Sequence, residues 1–288
     1  MNRFLLAVLV VSPAAFAGPG DQDKIEAQGA SQQAAAHPVL PADLRDRYRK
    51  IDLTIVGQPV VVTMKPGDIY YKNLGRMPLV NEKRVKSKLL SFTNSALKKD
   101  KAAIDAITAP VKLKVNHKIF MTVFSGKGSP EEIAVVLKLA AKFRKELRAD
   151  WKEKGSLAVS LATFYETYIG LDCNGFVGNY AEAIGSKFDG GVKPIDFARP
   201  HNKRQTVDAI QPGDAMVWLR PRSHIAAVQG KRSDGTWDAI EANGERGIGG
   251  LGDTVYELKA AGKGVFKANR VRNGRKGAAQ QVYVVALK

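Results

Sequence analysis

The spacing of apolar and polar positions divides the chain into unlike stretches. The clearest helix starts at Ser129-Pro130-Glu131-Glu132. Ser129 stands where a cap belongs, Pro130 suits the first helical position, and Glu132 completes a capping box. Ile133, Val136, Leu137, Ala140, Phe143, Leu147 and Trp151 follow at helical spacing, so one helix with a buried stripe is predicted, ending near Lys154-Gly155. A second apolar segment runs from Leu157 to Tyr168. A further helix begins at about Cys173, with Phe176, Val177, Tyr180, Ala181 and Ile184 on one side. Residues 185–200 read as a Gly- and Pro-rich loop, and the remainder reads as strands. Ala215–Leu219 follows the turn Gln211-Pro212-Gly213-Asp214, and His224–Gln229 comes next. The hairpin signal Ser233-Asp234-Gly235 leads into Thr236–Glu241, and Gln281–Leu287 makes a last strand. Helices followed by an antiparallel sheet predict an α+β fold.

The stretch before residue 126 has a different character. Ile51–Val56 and Val60–Met64 are short β-rich runs separated by Gly57-Gln58-Pro59. Lys65-Pro66-Gly67-Asp68 reads as a turn ahead of Ile69-Tyr70-Tyr71. Residues 83–118 hold ten Lys or Arg against Asp100 and Asp105. The favoured reading is a solvated face of one or two helices, and the alternative is a docking surface for an anionic polymer. Phe92 is isolated among these cations, which argues against a stacking platform for single-stranded nucleic acid.

The N-terminus changes the picture of where the protein works. A basic start at Arg3, an apolar run from Phe4 to Val11 and the small-x-small triplet Ala15-Phe16-Ala17 have the design of a signal peptide, with cleavage expected after Ala17. The run is too short to span a bilayer, and no later stretch reaches the ~20 apolar residues of a membrane helix. A periplasmic or secreted protein is expected. Gly18 to about Leu40, rich in Ala, Gln and Gly, reads as a flexible leader. The organisation read from the sequence is signal peptide 1–17, leader 18–40, basic region 41–125 and a main domain 126–288. The net charge of +17 favours encounters with anionic polymers, whether cell-wall polymers, acidic lipid or nucleic acid.

Cys173 is the chain's single cysteine, so an exported chain carries a thiol with no internal disulfide partner. A buried cysteine acting as a small hydrophobe, or one pairing with another chain, is the plain reading. The alternative is a nucleophile, and two conditions favour the thiolate: the positive end of a helix and a neighbouring imidazole. Asp172 is placed to cap the helix that Cys173 opens. Gly175 removes a side chain near the sulfur, which would let a substrate backbone approach. Of the four histidines, His37 falls in the leader, His117 in the basic region and His201 in a loop, whereas His224 opens an apolar strand that would fix its position. A catalytic imidazole has its second nitrogen held by a carboxylate, amide or carbonyl. The strand ending Ala239-Ile240-Glu241-Ala242-Asn243 puts Glu241 and Asn243 on one side, and either is placed to reach His224 across a hairpin.

These pieces resemble a known superfamily. Asp172-Cys173-Asn174-Gly175-Phe176-Val177 is similar to the Asp-Cys-Ser-Gly-Phe/Leu-Val signature of NlpC/P60 and CHAP-type papain-like amidopeptidases. Pro212-Gly213-Asp214-Ala215-Met216-Val217-Trp218 resembles their Pro-Gly-Asp strand, His224-Ile225-Ala226-Ala227-Val228 their histidine strand, and Glu241-x-Asn243 the Glu-x-Asn of the CHAP branch. The resemblance covers about residues 155–288. It departs at Asn174, where the signature has Ser, and upstream of the cysteine, where the usual Tyr and paired Gly have no clear match and Tyr165 and Tyr168 are the nearby candidates. It implies a papain-like core, with Cys173 as nucleophile, His224 as base, Glu241 orienting it and Asn243 assisting. It also implies cleavage of amide bonds in peptidoglycan stem peptides, with neither metal nor cofactor. The partner expected is peptidoglycan or another acidic peptide-bearing polymer. The alternatives are an acyltransferase or thioesterase on the same core, or a non-catalytic basic protein that binds wall polymers or other polyanions. No recognition motif supports a nucleic-acid role.

Overall fold

The computed structural model of the protein describes residues 39–64, 78–109, 111, 117–186, 194–198, 200–219, 223–243 and 250–288. The expected signal peptide, the leader up to Pro38, the turn at 65–68 and the segment Ile69-Tyr70-Tyr71 lie outside them.

The chain opens with helix α1 (Pro41–Arg49), then a hairpin of β1 (Lys50–Ile55) and β2 (Gln58–Thr63). The hairpin matches the two β-rich runs, and the helix ahead of it covers residues for which the sequence reading names no element. Helices α2 (Pro78–Lys99), α3 (Lys101–Thr108) and α4 (His117–Phe124) follow. The described part of the basic stretch is therefore largely helical, and part of its charge is paired with a buried acid. Arg84 and Lys88 of α2 both bond Asp150, which is only 3% exposed, Lys88 at 2.9 Å.

The helix predicted over 129–154 is capped as expected but shorter. The Ser129 hydroxyl accepts from the Glu132 N–H at 3.2 Å, and the Glu132 carboxylate accepts from the Ser129 N–H at 3.0 Å. Helix α5 (Pro130–Lys142) stops at Phe143, a single turn α6 (Arg144–Leu147) follows, and Arg148 takes a positive φ of 53° before a short 3-10 turn. Phe143, Leu147 and Trp151 stay buried all the same. The apolar stripe survives because burial needs the spacing of side chains, not an unbroken hydrogen-bond ladder. Helices α7 (Leu157–Tyr168) and α8 (Cys173–Ala183) follow as expected, and the 185–200 stretch contains the short α9 (Pro194–Phe197).

The C-terminal strands close on themselves. They are β3 (Ala215–Trp218), β4 (His224–Lys231), β5 (Trp237–Asn243), β6 (Gly250–Gly262), β7 (Val265–Arg272), the two-residue β8 (Arg275–Lys276) and β9 (Gln280–Val285). The order β6-β5-β4-β3-β9-β7 returns to β6 through a β6–β7 pairing, which makes a six-stranded ring with β8 attached to β7. Every pairing is antiparallel. The fold is α+β. The sequence reading names no strand between residues 243 and 281, where β6 and β7 form a hairpin, and the ring closes through β9, which pairs with both β7 and the distant β3.

Alternation along these strands separates two apolar layers. Met216, Trp218, Ala226, Val228, Ala239 and Phe266 fill the ring's interior, among other side chains. Ala215, Val217, Ile225, Ala227, Ile240 and Ala242 face outward and merge with the helices in one continuous core. That core also holds Leu44, Tyr48, Ile51, Leu53, Val62, Val85 and Leu89. Residues 39–288 form one compact unit, and a boundary at 125/126 separates no two cores. At the entrance to β3, buried Asp214 takes two hydrogen bonds of 2.8 Å from the Arg204 guanidinium and one from the Gln211 N–H.

Candidate active site

Cys173 is the first residue of α8 and is half-buried. Asp172 caps the helix as expected, its carboxylate accepting from the Asn174 N–H at 3.4 Å. The Asp172 N–H in turn donates to the Gly126 carbonyl at 2.8 Å. Tyr48 of α1 and Asn179 of α8 extend this seam. The Tyr48 hydroxyl donates to the Gly128 carbonyl at 2.8 Å, and Asn179 Nδ2 lies 2.9 Å from the Tyr48 oxygen and 3.1 Å from the Lys127 carbonyl.

Gly175 has a different reason from the one expected. A Cβ built there would lie 2.1 Å from the Gly126 carbonyl oxygen and 2.8 Å from Lys127 Cα. The backbone that approaches it is the protein's own, so the missing side chain lets α8 dock on the 126–128 turn. Asn174, which stands where the resembling signature has Ser, buries its Oδ1 without a hydrogen-bond partner among the described residues.

Helix α8 packs on β4 and β5, the strands that bear the other expected residues. His224 is the first residue of β4 and sits opposite Trp218 of β3, with ring centroids 5.4 Å apart. The β4–β5 register pairs Ala227 with Ile240. Carried to the strand ends, it sets His224 opposite Asn243 and diagonal to Glu241, all on one face. Glu241 meets the imidazole, with His224 Nε2 at 2.5 Å from Oε2. Asn243 ends β5, half-buried and paired with Gly250.

Glu241 has no exposed surface and is surrounded by donors. Thr254 Oγ1 donates at 2.7 Å, the Tyr256 hydroxyl lies 3.1 Å from both carboxylate oxygens, and Arg270 Nη2 donates at 2.6 Å. Burial pushes the carboxyl pKa up. The hydrogen bond and charge of His224, the Arg270 charge and the Thr254 hydroxyl outweigh it and hold the group down at about 2. Burial, and then the Glu241 charge, push the Tyr256 phenol well above its usual range, so it stays a donor. When the ring is neutral, a carboxylate at Nε2 favours the tautomer with its proton on that nitrogen and leaves Nδ1 free to accept.

Sequence reasoning missed Thr254, Tyr256 and Arg270. A signal was present in β7, where Phe266 and Ala268 point into the ring and Arg270 continues the same alternation. A cation on the apolar side of a strand needs a buried anion.

Among the described residues, no group of three or more His, Cys, Asp and Glu side chains is arranged to hold a metal ion. No described helix is long and apolar enough to cross a membrane. Compared with known protein families, curated proteins and solved structures, the chain matches none.

Proposed function

We propose that this protein is an exported cysteine hydrolase that cleaves amide bonds, with peptidoglycan stem peptides or another acidic peptide-bearing polymer as its substrate class. The observation that carries the reading is the His224–Glu241 pair, which lies on the inner face of the two strands whose outer face carries the helix that Cys173 opens. A thiol at a capped helix start and an imidazole braced through Nε2 are two of the three parts of a papain-like site. The signal-like first 17 residues support export, and the charge of +17 suits polymers rich in free carboxylates.

The proposed chemistry uses the thiol and the imidazole in turn. His224 Nδ1 takes the thiol proton, and the thiolate attacks the amide carbon. As the C–N bond breaks, the imidazolium returns that proton to the leaving amine, and an acyl thioester remains on Cys173. Water, deprotonated by Nδ1, attacks the thioester; the C–S bond breaks, releasing a carboxylic acid and restoring the thiol. Glu241 accepts no proton and holds the ring through both halves. The backbone N–H of Cys173 is a natural donor to the developing oxyanion.

The test is release of new amino groups from purified peptidoglycan. Wild-type protein is expected to release them, and Cys173→Ala and His224→Ala to fall to background. A Cys173→Ala protein that still cleared the polymer would end this reading.

A further inference from the structure

The set of groups around Glu241 is larger than orienting one imidazole requires. Oε2 serves His224 Nε2, while Oε1 takes Thr254 and Arg270, and the Tyr256 hydroxyl bridges both oxygens. Arg270 also donates to the Tyr256 hydroxyl at 3.0 Å and lies over its ring, 5.6 Å from the centroid. The β6–β7 register places Tyr256 directly opposite Arg270, so the cation is fixed by backbone pairing as well as by hydrogen bonds.

A fully buried carboxylate beside an imidazole favours the imidazolium, because one charge desolvated without a partner is expensive. An imidazole held permanently as imidazolium cannot take a proton from a thiol. Arg270 supplies the compensating charge from the far side of the carboxylate. We propose that Arg270 is a positioning residue: it neutralises Glu241 and occupies Oε1, leaving Oε2 to hold His224 Nε2–H, so that the ring presents Nδ1 as a neutral base. Its use in catalysis rests on the cysteine-hydrolase reading; its effect on the ring does not.

Among the described residues, the elements around the pair bring the following groups. Trp218 of β3 is uncharged, and Thr254 and Tyr256 of β6 are neutral donors. Helix α8, packed on β4 and β5, opens with Cys173. Of the cations on α1, Arg45 and Arg49 pair with Asp253, which β-alternation puts on the opposite face of β6 from Thr254, and Arg47 pairs with Glu131.

The experiment follows the ring C–H signal of His224 by NMR against pH in the full chain, assigned by its loss in His224→Ala. In Arg270→Gln the uncompensated carboxylate is expected to raise the titration midpoint by at least one unit, a tenfold gain in proton affinity. Arg270→Lys keeps the charge and is expected to return most of that shift. An unchanged midpoint in folded Arg270→Gln would make the arginine a structural ion pair and overturn the proposal. If that variant does not fold, the ring nitrogen shifts of His224 in the wild-type chain serve instead: a neutral ring with its proton on Nε2 at neutral pH is expected, and an imidazolium there overturns the role. Iodoacetamide alkylation of Cys173 with and without His224 tests the hydrolase reading separately. If alkylation ignores His224 while the midpoint moves, the catalytic reading falls and the role of Arg270 stands.

Discussion

Gly175 owes its place to the turn it faces, not to the thiol two residues before it. With 2.1 Å between a would-be Cβ and the Gly126 carbonyl, backbone has to move on one side or the other. Gly175→Ala is expected to lower stability by about 2 kcal/mol, within the usual range for overpacking, read as a shift in the urea midpoint. Because the displaced element carries Cys173, the alkylation rate should change as well. The residues that local rules identify are those whose signal is local: Cys173 behind a capping Asp172, His224 at a strand start, and Glu241 as an acid in an apolar strand. Arg270 was not legible in this way. Its meaning depends on the strand opposite and on Glu241, two strands away around the ring.

At the scale of elements, capping and turn chemistry make separate predictions. Ser129→Ala removes one half of a reciprocal cap and is expected to cost about 1 kcal/mol in a urea titration. The β1–β2 hairpin turns through Val56 and Gly57, both at positive φ, and Val56 is 96% exposed. A β-branched residue pays a steric penalty there that Asn largely avoids. Val56→Asn is therefore expected to stabilise the protein by roughly 1 kcal/mol, and an unchanged urea midpoint would refute the strain. The elements with the strongest signals, α7, α8 and the strands β3 to β5, lie within a residue or two of expectation. Helix α5 ends early because the stripe from Ile133 to Trp151 reports which side is buried and not where the backbone changes course.

At the scale of the whole molecule, one core joins residues from both sides of position 125. Leu44, Tyr48, Ile51, Leu53 and Val62 are buried against the same helices as Phe176 and Val177. A fragment of residues 126–288 is expected to lack a cooperative urea transition, and a sharp one would show that the second half stands alone. Stability should also depend on pH through Glu241. Its pKa is held down from 4.5 to about 2, so its contribution is complete above about pH 4.5 and is lost as the pH falls toward 2. At 1.36 kcal/mol per unit, that contribution is roughly 3 kcal/mol. Unfolding free energies measured between these limits should fall less steeply in Glu241→Gln than in the wild type.

Ring closure has a consequence for timing. A chain made or exported from its N-terminus delivers Cys173 early, with its capped helix soon after. The brace on the imidazole waits for Arg270, and the ring waits for β9, which pairs with both β3 and β7 at the very end. On the proposed reading, a chain not yet closed by β9 has a thiol whose base is not yet braced. The last strand acts as a safety catch, and deleting residues 280–288 should leave the thiol as sluggish toward iodoacetamide as cysteine in an unfolded peptide.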